Sequence, residues 1–187
     1  MQRAAAAVGL IAVALAVTRC RPAPEAEAPT PEALRRAAAQ VLQADCGNEL
    51  NPGFWEHARM LERAGPAVVP VLTEMVADRR LSVWFVSSAA CHAARHPFDE
   101  RFRQALRGRR DDPGFRHDNG ARLGVFVYFA AFGDESDLAW MERAAETRGE
   151  YHRPTGDEEI RKLRARLGRT RADAEQGNAA DSRQNRS

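Results

Sequence analysis

Cysteine is scarce in this sequence, and its spacing excludes several kinds of site. The three cysteines, Cys20, Cys46 and Cys91, form no C-x-x-C pair, so neither a zinc site nor a thioredoxin-like motif is indicated. Cys46 and Cys91 remain as a pair that an oxidising compartment could join. We predict no such disulfide, because Cys91 should lie about 13 Å along its helix from the end nearest Cys46, whereas bridged Cα atoms lie within about 7 Å of each other.

The chain has no excess of basic residues once its first 19 residues are set aside. The full sequence has 28 Lys and Arg residues against 26 Asp and Glu residues. Arg3 and Arg19 lie in residues 1–19, which contain no acidic residue, so removing that segment leaves 26 basic residues against the same 26 acidic ones. Proteins that bind nucleic acid normally carry a basic face. The sequence therefore predicts no nucleic-acid partner.

Several enzyme motifs are also missing. The sequence has no G-x-S-x-G turn and no Gly-rich phosphate-binding loop. His92 and His96 stand four residues apart on one predicted helix, a spacing that can chelate a metal, and His117 lies in a loop within reach of them. No acidic residue completes an H-E-x-x-H pattern, so two solvated histidines on a polar face are the interpretation we prefer. We predict no catalytic residue, no metal site and no cofactor; the alternative function is a metal-dependent enzyme or enzyme accessory that uses His92 and His96.

The N-terminal segment lacks the length of a membrane-spanning helix. Its uncharged run from Ala4 to Thr18 has about 15 residues, whereas a span needs about 20. A basic residue precedes this run, and Cys20 and a stretch rich in Pro, Ala and Glu follow it. Short apolar runs after a basic start are typical of export signals. We predict that residues 1–19 are a signal peptide and residues 20–30 a tether.

The order of these features resembles a bacterial lipoprotein signal. That resemblance implies lipid on Cys20, a location in the cell envelope, and membrane contact through the N-terminus only. Arg19 stands where that family has a small residue, and two alternatives stay open. The chain can be cleaved at an ordinary secretory site at residues 14–16, or the run can remain as an uncleaved anchor.

Apolar residues recur at helical spacing through the rest of the chain. Thr30 followed by Pro31 predicts a helix start, Gly65 a left-handed helix end, and Ser82 and Ser136 further helix starts. The predicted helices cover about 31–45, 54–64, 66–78, 83–96, 98–109, 121–132, the residues after Ser136, and 157–167. Residues 168–187 have no apolar periodicity and are predicted to be disordered.

Two helix starts share a pattern that indicates a repeat. Gly65 precedes one and Gly133 another, 68 residues later, and Glu74 and Glu142 each stand nine residues after their glycine. Because a further helix begins roughly halfway, the period is about 34 residues, or one helical hairpin per unit. We predict that residues 31–167 form an all-α domain, an α-solenoid of about four stacked antiparallel helical hairpins.

The stretches at residues 64–96 and 130–145 resemble HEAT repeats, in the short form found in phycobilisome-lyase-like proteins. The resemblance rests on a glycine, a few polar residues, the Val69-Pro70-Val71-Leu72 start and an Ala-rich second helix. The second stretch lacks the proline. The resemblance implies an α-solenoid that more often binds proteins than catalyses a reaction.

One aromatic residue breaks the sorting of polar and apolar side chains on the fourth predicted helix. Trp84 shares a stripe with Ser88, His92 and Arg95, while the small and apolar residues of that helix fall on the opposite side. An exposed tryptophan beside an arginine suits a protein-binding hot spot; packing of Trp84 against a neighbouring hairpin is the alternative. We predict an exported, membrane-tethered scaffold that binds another protein through this stripe.

Overall fold

All secondary structure in the described residues is helical. The computed structural model describes residues 28–42, 52–117, 120–146 and 156–170; the signal segment, Cys20, Cys46 and most of residues 168–187 lie outside this part of the chain. The helices are α1 (Pro31–Leu42), α2 (Pro52–Ala64), α3 (Val68–Ala77), α4 (Val83–Ala93), α5 (Glu100–Arg109), the short α6 (Gly114–His117), α7 (Arg122–Phe132), α8 (Glu135–Glu146) and α9 (156–170). Within these ranges there is no strand. The prediction of an all-α chain is confirmed.

Side-chain caps explain where three of the helices begin. Thr30 Oγ1 accepts a hydrogen bond from the backbone N–H of Ala33 at 3.2 Å, and Ser82 Oγ accepts from Phe85 N–H at 3.1 Å. Both caps are those predicted from the sequence. The predicted Ser136 cap is wrong: α8 begins at Glu135, and Asp134 Oδ1 accepts instead from the N–H of Ser136 at 2.9 Å. A carboxylate competes well here because it also complements the positive end of the helix dipole.

Two other boundaries differ from the prediction. The helix expected from residue 98 starts at Glu100, because Asp99 accepts a hydrogen bond from Phe102 N–H at 2.9 Å and caps it. The last helix continues to residue 170, three residues into the segment predicted to be disordered. Helix ends depend on such local partners, which apolar spacing alone does not reveal.

The two glycines that suggested a repeat end their helices for different reasons. Gly65 has φ +53°, the left-handed conformation that glycine adopts at low cost, and leads into a 3₁₀ turn before α3. Gly133 is extended, with φ −70°. A Cβ there would lie 2.6 Å from the carbonyl oxygen of Phe129, so space rather than backbone conformation requires a glycine after α7.

Alternate helices of the chain pack side by side. α3 lies along α5 and α4 lies along α7, while α1 packs on α2 and also reaches α3 and α4. The apolar faces meet in one core that extends from α1 to α9 and includes Leu34, Leu72, Phe85, Phe102, Phe126, Met141 and Leu163. The described helices are all too short, or too rich in polar residues, to cross a bilayer.

α4 and α7 approach each other closely at Gly124. Its backbone N–H donates to Ser87 Oγ at 3.1 Å, and a Cβ on Gly124 would lie 2.0 Å from the Ser87 carbonyl oxygen. The small size of Gly124 and Ser87 thus allows the two helices to pack closely. The contact fixes how α4 sits on the core, and therefore which of its faces points outwards.

A buried arginine holds the turn before α4. Arg109 is only 2% exposed, and its guanidinium donates to the carbonyl oxygens of Val76, Asp78 and Leu81, each at 2.8 Å. These carbonyls end α3 and form the α3–α4 turn, where helix-end carbonyls lack partners within the helix. Asp112 balances the charge at 3.1 Å. The start of α4 is therefore anchored to α5.

Candidate functional site

The outward face of α4 forms one wall of a groove. The opposite face is buried through Val86, Ala90 and Ala93. The remaining face lines a cavity of about 340 Å³ between α1, α2 and α4. We call this cavity the tryptophan groove; its lining residues are Val41, Leu42, Ala58, Leu61, Glu62, Trp84, Ser87, Ser88, Cys91, His92 and Arg95.

The four residues singled out from the sequence all lie in this groove. Trp84, Ser88 and His92 follow one another along α4 at spacings of four, which places them on one side of the helix. The helix predicted to reach residue 96 ends at Ala93, and Arg95 lies in the turn that follows, still in the lining of the groove. Trp84 is 51% exposed, so a large part of its ring faces solvent. The tryptophan groove thus combines apolar surface from α1, α2 and Trp84 with polar groups from α4.

His92 is held in its neutral form. Burial lowers the pKa of His92 to about 4, and the positive charges of His96 and Arg95 act in the same direction. Its Nε2 atom is buried and makes no hydrogen bond to any described residue, and the same is true of His96 Nε2. The two rings lie 5.1 Å apart between centroids. At neutral pH, His92 therefore offers an uncharged nitrogen.

Cys91 contributes an unreactive thiol. It is free and half-buried. Burial raises the pKa of the Cys91 thiol, Arg95 opposes that change, and the negative charge of Glu159 adds to it. The nucleophile of cysteine chemistry is the thiolate, which this environment disfavours. The predicted absence of a Cys46–Cys91 disulfide stays a prediction, because Cys46 lies outside the described residues.

One acidic and one basic side chain line the groove. They are Glu62 on α2 and Arg95, which lies just after the end of α4. Both residues are exposed, and within the described ranges neither side chain forms an ion pair or a hydrogen bond. Each wall of the groove therefore carries one charge that is available to a ligand.

A second exposed tryptophan, missed in the sequence, extends this surface. Trp55 on α2 is 54% exposed and borders a neighbouring cavity of about 460 Å³ with Glu56, Arg59, Glu62 and Arg63. Glu62 lines both cavities, so the two are adjacent. The signal was present in the sequence: Trp55 stands directly before Glu56 and four residues before Arg59, on the polar side of an amphipathic helix.

The histidines do not assemble into a metal site with other described residues. Across residues 28–42, 52–117, 120–146 and 156–170, no group of three or more His, Cys, Asp or Glu side chains is placed to hold a metal ion. His117 ends α6, but its side chain lies outside the described part. His92 and His96 supply two potential ligands, whereas a protein zinc site normally uses at least three.

The groove's own geometry and chemistry are the basis for assigning a role, because similarity to other proteins offers none. Comparison of the chain with protein-family models, with curated proteins and with solved structures finds no match in any of the three.

Proposed function

We propose that this protein is a HEAT-like α-solenoid that binds a segment of another protein in the tryptophan groove. The observation that carries the proposal is the convergence of Trp84, Ser88, His92 and Arg95 on one open groove, with half of the Trp84 ring accessible. Rigid aromatic side chains next to arginine are the groups that most often dominate binding energy at protein interfaces. The role is recognition or scaffolding.

The packing of alternate helices supports the solenoid. In a stack of hairpins, the first helix of each unit packs on the first helix of the next, and second helices pack likewise. The contacts of α3 with α5 and of α4 with α7 have this pattern. α1 with α2, and α3 with α4, form the first two hairpins, and α8 with α9 would complete the stack.

The chemistry of the groove favours binding over catalysis. A nucleophile must be activated by a base, a lowered pKa or a metal, yet the Cys91 thiol is held protonated. His92 has no hydrogen-bonding carboxylate among the described residues to orient it as a base. What the groove does offer is exposed apolar area with one charge on each wall.

We also propose that the protein is exported and tethered to the membrane through its N-terminus. Intact-mass spectrometry of the chain from its own cells tests this, and we expect residues 1–19 to be absent and lipid to be attached to Cys20. A chain that begins at Met1 in a cytoplasmic fraction would contradict export. An unlipidated chain that begins at Val17 would contradict the lipid on Cys20 alone.

Site-specific crosslinking tests the binding function. A photoreactive phenylalanine analogue replaces Ser88 inside the groove or, as a control, Arg101, an exposed residue of α5 that lines none of the described cavities. After irradiation of cells, we expect a discrete crosslinked partner from position 88 that disappears in the Trp84→Ala background. Equal products from both positions, or none from position 88, would contradict the proposal.

A metal-dependent role is the second candidate. It is favoured by the buried, unpartnered Nε2 atoms of His92 at the end of α4 and His96 just after it. Metal analysis of the purified protein separates the two roles. Stoichiometric metal that is lost in both His92→Ala and His96→Ala would establish the second candidate, whereas we expect no stoichiometric metal.

A further inference from the structure

We propose that the segment bound in the tryptophan groove carries an apolar side chain between an acidic and a basic residue. This specificity rests on the proposed binding function and deepens it. The geometry that points to it is the placement of Glu62 and Arg95 on opposite walls with apolar surface between them.

The middle of the groove selects the apolar side chain. Its surface comes from Val41 and Leu42 of α1, Ala58 and Leu61 of α2, and Trp84 of α4. A volume of about 340 Å³ falls at the small end of the range for ligand sites. This space suits a large side chain with its adjoining backbone and is too small for a folded domain, so the occupant is a short segment.

The two charges determine where each charged residue of the segment lies in the groove. Arg95 presents a guanidinium, which pairs well with a carboxylate because two N–H groups can donate in parallel. Glu62 on the other wall favours a Lys or Arg of the ligand. His92 is uncharged at neutral pH, so the lining of this groove carries no charge besides those of Glu62 and Arg95. Arg59 and Arg63 border the neighbouring cavity instead.

Neither charge is already used within the described residues. Elsewhere on the surface, Arg35 pairs with Glu74 and Arg164 with Glu142. Glu62 and Arg95 have no such partners there, although both stand beside apolar surface that lowers the local dielectric. Opposite unpaired charges in an apolar groove determine which ligands bind more than how tightly they bind.

Selection from a displayed library of random 12-residue peptides tests the inference. The purified full chain is the bait, and a second selection uses the charge variant Arg95→Glu. We expect wild-type protein to enrich peptides with an apolar residue between an acid and a base, and Arg95→Glu to enrich peptides with an apolar residue between two basic residues. For a selected peptide, Arg95→Glu should weaken binding by about fivefold, the scale of an exposed ion pair; changing the peptide's acid to Lys should restore it.

The possible outcomes separate this inference from the proposed function. Uncharged apolar peptides enriched equally by both baits would overturn the charge specificity and leave peptide binding intact. No enrichment above that given by the Trp84→Ala variant would overturn both. Arg101→Glu on α5 is the matched charge control and should select the same peptides as wild type. Matching thermal unfolding of all variants shows that a lost preference is not a loss of fold.

Discussion

The three tryptophans differ in how much of each side chain is exposed to solvent and in what it contacts. Trp140 is 6% exposed, its indole N–H donates to Asp111 Oδ1 at 2.9 Å, and its ring meets Phe126 and Phe129 edge to face. Trp55 and Trp84 each leave about half of their surface in solvent at the edge of a cavity. A fully packed tryptophan stabilises the fold, whereas an accessible one in a groove is positioned to contact a partner.

We expect Trp84→Ala to keep a melting temperature close to that of wild type and to lose partner binding. Truncating a half-exposed ring leaves little cavity, whereas truncating an interface tryptophan costs about 2 kcal/mol or more of binding free energy. Trp140→Ala is the matched control and should lower the free energy of unfolding by about 3–5 kcal/mol. Thermal and chemical denaturation make the comparison. If Trp84→Ala lowers the free energy of unfolding as much as Trp140→Ala does, Trp84 belongs to the core.

His92 should make the protein less stable as the pH falls from about 6.5 to about 4. Its pKa is about 4 in the folded chain against 6.5 for an ordinary histidine, so the unfolded chain binds more protons between these values. The stability is complete above pH 6.5 and is lost as the pH falls towards the folded pKa. Chemical denaturation between pH 7 and pH 5 measures the slope. We expect a shallower slope for His92→Gln; an unchanged slope would contradict the burial of a neutral imidazole.

At the scale of the helix, the contact between α4 and α7 determines the orientation of the groove wall. Gly124 lies against the Ser87 backbone, and Ser87 itself lines the tryptophan groove. Any side chain at position 124 must push the two helices apart, and protein interiors resist such overpacking. Gly124 therefore fixes the position of this wall from the core side of α4, although it does not line the groove itself.

We expect Gly124→Ala to destabilise the protein by about 1–3 kcal/mol, because its Cβ would lie 2.0 Å from the Ser87 carbonyl oxygen. Gly108→Ala on α5 is the control, since a Cβ there meets nothing within 4 Å. In a helix interior that change should stabilise by roughly 0.5–1 kcal/mol. Urea denaturation of both variants gives the two free energies. Equal effects at the two positions would mean that α4 and α7 are not in close contact there.

The sequence predicted the helices better than it predicted what joins them. Apolar spacing identified the buried face of α3, and Ser82 marked the start of α4, because both signals are local. Arg109 had no such signal, since the three carbonyls it caps lie 28 to 33 residues earlier in the chain. The α4 stripe could be drawn from spacing alone, but the groove also needs α1 and α2, which only the fold brings to it.

For the molecule as a whole, a polar network attaches α8 to α5. Arg107 donates to Asp137 at 2.6 and 2.8 Å and to Asp134 at 2.5 Å, and Arg110 donates to Asp137 at 3.1 Å. The hydrogen bond that Arg107 donates to Asp137 raises the pKa of Arg107 above its usual value, against the effect of burial. Burial alone would raise the pKa of Asp134, but hydrogen bonds from Arg107 and Ser136 hold it well below its usual value. The Asp137 side chain is fully buried and depends on these partners.

We therefore expect Arg107→Met to release α8 before the rest of the fold. It leaves the buried Asp137 carboxylate with Arg110 as its ion-pair partner and the Asp134 backbone N–H as a further donor. Breaking one side of a buried ion pair costs about 3–5 kcal/mol. In a stack of hairpins each unit is held mainly by its neighbour, so the loss should stay local. Hydrogen exchange measured by mass spectrometry should show faster exchange in α8 and little change in α4 and α7.

Two further variants make this test decisive. Arg101→Met on the exposed face of α5 should leave exchange unchanged. Arg107→Met/Asp137→Leu removes both partners and should recover much of the protection, because an apolar pair carries no unpaired buried charge. Faster exchange throughout the chain in Arg107→Met would show that the helices unfold as one cooperative unit, as they do in most small globular domains. The polar link would then stabilise the whole fold instead of joining one hairpin to the next.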